Sequence, residues 1–291
     1  MELAGEGMLG KAAGVFKGEL PAMVSDESTD DMRRKHPEAR DSEFARCDNL
    51  RPVAGAAAPS LTVDEVLKAI KAFPQGSAGG KSGLKPQHLK DALVPGYGNE
   101  MVRTITEVAT LLASGKAHPS ARELICCASL TALSEPDGSL RPIAIGETLR
   151  RLVGTALAKD ASEDFQAYFE PVQVGVGSKG GAEAVVHTVR QYAARNRHRP
   201  NVVIATLDLK NAFNCVDRSA FRAEIRRVAP RLAPWVDFQY GAPTPLFFGG
   251  TKLSSERGAQ QGDPIGPCPL CGRDPPSHSG GAKPPRMFGN V

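Results

Sequence analysis

An α+β fold is what this sequence predicts, on three observations. Stretches with helical spacing and cap signals recur from residue 62 onward. Two short apolar runs near residues 126–133 and 140–145 are joined by turn chemistry and read as a hairpin. A third, β-branched run at 202–207 stands between two helical stretches.

The first ordered element starts at Thr62-Val-Asp-Glu65, a capping box in which side chain and backbone satisfy each other at the helix start. Val63, Val66, Leu67, Ile70 and Phe73 follow at helical spacing, and Pro74 stops the helix. Before it, residues 1–59 are rich in Gly, Ala, Ser and charge with no sustained period, and read as disordered or weakly helical. Asp30-Asp31 lies there and reads as part of a solvated charge run. A second helix is expected over 99–113, with Met101, Ile105, Val108, Leu111 and Leu112 on its apolar side and Gly115 beyond its end. The hairpin turn is Glu135-Pro-Asp-Gly138. Residues 147–169 read as one long amphipathic helix through Leu149, Leu152, Val153, Ala156, Leu157 and Phe165. The helix expected over 182–195 turns Val185, Val186, Val189 and Tyr192 inward, with basic residues at its C-terminal end, where they suit the helix dipole.

Arg199-Pro200 then introduces the run Val202 to Leu207, which reads as a buried strand ending on Asp208. A carboxylate there must be paired, hydrogen-bonded, neutralised or metal-bound, or it caps the following helix. Downstream, Asp217 or Ser219 caps a helix containing Phe221, Ile225 and Val228; 235–240 is a short apolar helix and 245–248 a strand.

Composition sets the outer limits. The 291 residues are 41% hydrophobic, enough for a core, while 30 glycines and 23 prolines point to loose segments. The net charge of +4 permits nucleic-acid binding without demanding it. No apolar stretch approaches the length of a membrane span, and the N-terminus lacks a basic-then-apolar signal, so an intracellular, nuclear or cytoplasmic, non-secreted protein is expected. Six cysteines without framework spacing read as reduced thiols.

Two motifs carry chemistry. Asp208-Leu-Lys-Asn-Ala-Phe213 sets an aromatic five residues after the strand-end carboxylate, and Gly258-Ala-Gln-Gln261-Gly262-Asp263-Pro264-Ile-Gly-Pro267 follows about fifty residues later. Together, in this order, they resemble the reverse transcriptases of non-LTR retrotransposons, RNA-directed DNA polymerases. The Gly-rich turn before Pro86 and the Arg141-Pro142-Ile143 strand fit the same pattern. The resemblance implies a partial right-hand polymerase fold, fingers plus an incomplete palm, over 60–267, with disordered tails at 1–59 and 268–291.

The resemblance also implies roles. Asp208 and the main-chain carbonyl of Leu209 would ligate Mg2+, and Asp208 would be catalytic. Phe213 would gate the sugar of the incoming deoxynucleotide, Arg141 would grip its triphosphate, and Gln261 and Gly262 would line its pocket. A guanidinium suits phosphate oxygens, which agrees with the part given to Arg141. Arg150 and Arg151 either touch the template backbone or are solvated. The implied partners are an RNA template, a DNA primer and deoxynucleotides, with no membrane.

Nucleotidyl transfer in this family uses two magnesium ions about 3.5–4 Å apart, which one carboxylate cannot hold. The family supplies the rest from an aromatic-x-Asp-Asp hairpin, and no such sequence follows Gln261-Gly-Asp-Pro264 here. After Pro267 the chain turns abruptly Pro/Gly-rich, as a truncation, a frameshift or a splicing error would leave it. The chain is therefore expected to be inactive in primer extension. The alternatives are a non-catalytic nucleic-acid-binding remnant of a retroelement, or a degenerate product with no stable fold.

Three other motifs are outweighed. Gly80-Lys81-Ser82 ends like a phosphate-binding loop, but its first glycine, Gly76, is one residue too close and a helix precedes it. The Gly175-x-Gly177-x-x-Gly180 run lacks the strand before it and an acid about 20 residues on. Cys268-x-x-Cys271 with His278 supplies three of the four ligands of a closed zinc site.

Overall fold

The computed structural model describes residues 21–40, 59–170, 173–175, 178, 180–206 and 209–266. Over these the fold is α+β: a helical body against a four-stranded mixed sheet. Among the described residues no helix is long and apolar enough to cross a membrane.

The helical body begins where the capping box places it. In α1 (Asp26–Lys35) and α2 (Val63–Ala72) alike, a hydroxyl side chain caps the first turn. For α2, Glu65 Oε2 accepts the Thr62 N–H at 2.7 Å, and Val66, Ala69 and Ile70 are buried. Pro86 opens α3 (Pro86–Asp91), where its missing N–H costs nothing. Helix α4 (Gly98–Ala113) buries Val102, Thr106, Ala109, Leu112 and Ala113, while Val108 and Leu111 are exposed. The buried stripe is thus rotated from the expected one. Small Ala and Thr side chains let α4 sit close against its neighbours, and interaxial distance depends on the side chains at the contact.

After the short α5 (Ala121–Ile125), β1 (Ala128–Ser134) and β2 (Leu140–Gly146) form the expected hairpin. Gly138 takes φ +82 at the turn, and Asp137 accepts the Ser139 N–H. Residues 147–169 are not one helix but two, α6 (Thr148–Asp160) and α7 (Ser162–Phe169), separated at Ala161. The Ser162 hydroxyl bonds back to the Lys159 carbonyl, competing with the helical ladder at the break. Then come α8 (Gly181–Asn196), α9 (Ala212–Cys215) and α10 (Arg218–Val228), the last capped by Asp217. Helix α11 (Ala233–Tyr240) leads to β3 (Thr244–Phe248) and β4 (Thr251–Ser255). Strand β4 lies just before the Gly258–Pro267 element, in residues that the sequence assigns to no strand.

The sheet order is β2-β1-β3-β4, with β1 and β3 parallel and the other pairs antiparallel. One face carries Ala128, Leu130, Ala132, Ala144, Leu246, Phe248 and Leu253, and packs on Met32 of α1. Residues 21–40 are therefore part of the fold and not a disordered lead. They strap the sheet: the Ala22 N–H donates to Ala132 O, and Ala39 N–H to Glu256 Oε2. Asp30 does lie in solvent, paired with Arg33, while Asp31 is half-buried beside Arg34 and Lys35.

The opposite sheet face stays partly open. By register, Ile145, Ser129, Phe247 and Lys252 share one cross-strand row, and Ile143 with Thr131 the next. The main core lies away from the sheet, around Trp235, Leu152, Leu157, Ile70 and Leu232.

Two expectations fail between residues 181 and 206. The run 202–206 is not a strand, and Val203 and Ile204 are 87% and 51% exposed. Among the described residues no strand lies beside it to take its backbone hydrogen bonds, and a β-branched run becomes a strand only with a partner. Nor does α8 turn its valines inward: Val185, Val186, Val189 and Tyr192 are exposed. Asp208 itself, with Leu207, lies outside the described residues, as do Pro267, Cys268, Cys271 and His278.

Candidate nucleotide and nucleic-acid site

The two motifs meet through their backbones. Asn211 adopts a left-handed conformation (φ +54), where asparagine is one of the few residues with a side chain that settles easily. Its amide donates to Lys35 O at 2.8 Å and its oxygen accepts from Asn214 at 2.9 Å. That fixes the turn leading to Phe213. The Ala259 N–H then donates to Phe213 O, and the Gly258 N–H to Val216 O, both at 2.8 Å. Gly258, at φ +64, lies so close to Phe213 O and Asn214 that a Cβ there would collide with backbone.

From this junction the chain reaches the free edge of β2. The Ala144 N–H donates to Gln261 O at 3.0 Å. Gly262, at φ +115, passes close enough that a Cβ would stand 2.7 Å from Ala144 O. Phe213, Gln261, Gly262 and the strand bearing Arg141 are therefore joined by a short relay of main-chain bonds. Phe213 and Gln261 are half-buried, and Arg141 is exposed on the open sheet face, paired with Glu135 across the hairpin. Leu209 is 74% exposed, and its neighbour Asp208 is not among the described residues.

A buried polar cluster holds the Gln-Gly-Asp-Pro loop in place. Arg150 is 2% exposed, and its guanidinium meets Asp263 Oδ2 at 2.8 Å, Cys126 O at 2.9 Å and Tyr240 Oη at 3.1 Å. It also donates to Gln260. Tyr240 donates to the same carboxylate oxygen at 2.5 Å. The Gln239 amide, turned with its oxygen toward Trp235 Nε1, completes the shell. Burial alone would disfavour the charged guanidinium, but Asp263 beside it overcompensates and holds its pKa above the ordinary value. Burial and the same carboxylate push the Tyr240 phenol up.

This corrects the reading of Arg150: it reaches neither template nor solvent. Arg150 stands at helical spacing with Val153 and Leu157 on one buried side of α6. Arg151 is tied to the Ala78 carbonyl and stacks 5.5 Å from the Phe73 ring centroid. Asp263, Tyr240, Gln260 and Arg218 were missed as structural anchors. Arg218, 1% exposed, binds Gly258 O and Ser255 Oγ and so secures the other end of the loop.

The Gly-rich turn is anchored too. The buried Glu147 accepts the Ser82 N–H at 2.9 Å and its hydroxyl at 2.5 Å, and Gly80 passes so close that a Cβ would strike the Glu147 side chain. Ser82 is thus occupied by a carboxylate, which argues against a phosphate cradle. Lys81 instead stands 4.6 Å above the Phe247 ring on the open sheet face. With Lys252 and Arg141 this face combines cations, an aromatic ring and hydroxyls. Cys126 and Cys127 are buried, and burial pushes both thiols up to about 11, Cys127 with help from Glu147.

Among the described residues, no group of three or more His, Cys, Asp or Glu side chains could hold a metal. Asp217 caps α10 and Asp263 is taken by Arg150 and Tyr240. The described carboxylates near Phe213 and Gln261 thus supply no magnesium pair. An open cavity of about 620 Å3 lies elsewhere, between Leu61, Thr110 and Lys116. In comparisons with models of protein families and with curated proteins, the sequence matches none.

Proposed function

We propose that this chain is a reverse-transcriptase-like domain that holds nucleic acid without completing nucleotidyl transfer. The observation that carries the reading is the main-chain relay from Phe213 through Ala259 and Gln261 to Ala144, which joins the two motifs to the strand of Arg141. Those segments are far apart in sequence, and a shared site needs them adjacent. In this reading Asp208 and the Leu209 carbonyl are the magnesium ligands, and Phe213, Arg141, Gln261 and Gly262 are the nucleotide contacts. The parent reaction is RNA-directed DNA synthesis on a primed template, and the aromatic-x-Asp-Asp pair it requires besides Asp208 does not follow Gln261-Gly-Asp-Pro264 in this sequence.

Retained strand binding is the function we assign to the chain, rather than synthesis. Single strands are held by cations that follow phosphates and by rings on which bases stack. The pair Lys81 and Phe247, with Lys252 alongside, has that composition. The test is fluorescence anisotropy of a labelled single-stranded RNA and a primed RNA template. Affinity should fall as salt rises, through counterion release. Binding absent at every salt concentration would refute retained binding. Magnesium-dependent extension of the primer would refute the claim of inactivity while strengthening the ancestry.

A further inference from the structure

Among the described residues nothing covers helix α8 along most of its length: every residue from Ala182 to Arg195 is exposed. Yet Val185, Val186, Val189 and Tyr192, each between 43% and 49% exposed, form a stripe at three- and four-residue spacing. A lone helix of this length is marginal in water, and an apolar stripe held in water marks a surface that a partner covers.

The charges beside the stripe point to the partner. In a heptad frame Val186 and Val189 take the two seam positions. Glu183 and Arg190 then occupy the same flanking position, one heptad apart. In two antiparallel copies, Val186 meets Val189 of the second copy, and Glu183 meets its Arg190. Each contact occurs twice about a two-fold axis, as a self-complementary interface requires. A parallel pair would set Arg190 beside Val185 and give neither charge an opposite.

We propose that α8 is a self-association surface on which a second copy of this chain docks antiparallel. A 16-residue helix is about 24 Å long, so one helix pair lies at or below the roughly 1,200 Å2 that stable complexes bury. Association is therefore weak and concentration-dependent, not obligate. It stands apart from the nucleic-acid reading, since neither the sheet face nor the Gln-Gly-Asp-Pro loop takes part.

The test is sedimentation velocity of the full chain over a wide concentration range. The expected result is a monomer–dimer equilibrium that Val189→Lys abolishes. Glu183→Arg or Arg190→Glu alone should weaken the dimer severalfold, and the two together should restore it. Circular dichroism and thermal melts at low concentration should be unchanged in all four variants, because the altered side chains are exposed. A monomer at every concentration overturns the proposal, as does a dimer indifferent to Val189→Lys. A double variant no tighter than the singles overturns the antiparallel arrangement. Amides of α8 that are protected from exchange in a monomeric chain would show that another segment covers the stripe, which also overturns it.

Discussion

Two runs that read as strands in this chain meet opposite fates. Residues 128–134 become β1, central in the sheet, with Ala128, Leu130 and Ala132 buried against Met32 and Leu246. Residues 202–206 carry Val202, Val203 and Ile204, yet they belong to no strand, with Val203 87% exposed. The same contrast separates α4, whose stripe is buried, from α8, whose stripe is not. Periodicity in a sequence encodes which residues share a face; it does not encode what covers that face. In the body, cover comes from distant segments: β3 beside β1, α1 under the sheet and Asp263 beneath Arg150. For the stripe of α8 and for Val203 and Ile204 the described residues provide none.

The sharpest way to break this comparison is at the buried ion pair. Asp263→Ala leaves the Arg150 guanidinium buried without its carboxylate, and should cost about 3–5 kcal/mol in urea unfolding. Replacing both, as Arg150→Met with Asp263→Leu, should recover most of that loss, since a buried pair is worth little more than well-packed apolar side chains. A loss no larger than that of an exposed ion pair would mean that the cluster does not hold the loop.

Next comes the strap. Met32 is fully buried, and Met32→Ala should cost about 2–5 kcal/mol through lost contacts and an unfilled cavity. A loss near zero would return residues 21–40 to the status their composition suggested. The capping box of α2 offers a smaller effect: Thr62→Ala should cost about 1 kcal/mol, and Thr62→Ser little.

The strap should also respond to pH. Burial lowers the pKa of His36; Arg218 adds to the fall, while its bond to the Met32 carbonyl opposes it. A folded value below the unfolded one means that this contribution is complete above about pH 6.5 and is lost as pH falls through the folded value. Hydrogen exchange of α1 should therefore quicken on mild acidification. His36→Gln should flatten the response, and an unchanged response in that variant would place the titrating group elsewhere.

Much of the body was legible. The α2 cap, the Glu135–Gly138 turn, the Asp217 cap of α10 and the strand at 244–248 all rest on local chemistry and appear close to where the sequence puts them. What was illegible depends on contacts between distant segments. The parallel pairing of β1 with β3 joins residues more than a hundred apart. A composition rich in charge hid the one buried methionine of α1, and an arginine inside an apolar helix read as surface because arginine is seldom buried without a partner. The partner, Asp263, was in view within the Gln-Gly-Asp-Pro element, 113 residues away. Of the candidate site, the relay among Phe213, Gln261 and β2 agrees with one shared region, while Asp208 lies outside what the structure describes.

The smallest expected effect is the most telling. Val203→Asp places a charge in the most β-prone stretch of the sequence. If 202–206 were a buried strand, that change would cost several kcal/mol, since a carboxylate would enter the core without a partner. Because Val203 is 87% exposed, the stability of the chain should move by no more than about 0.5 kcal/mol. Leu246→Asp, on β3 and fully buried, should abolish folding under the same conditions. Chemical denaturation of the two variants side by side measures the difference. Equal and severe losses would mean that the run before Asp208 is covered after all, and would bring back the strand that its sequence pattern first indicated.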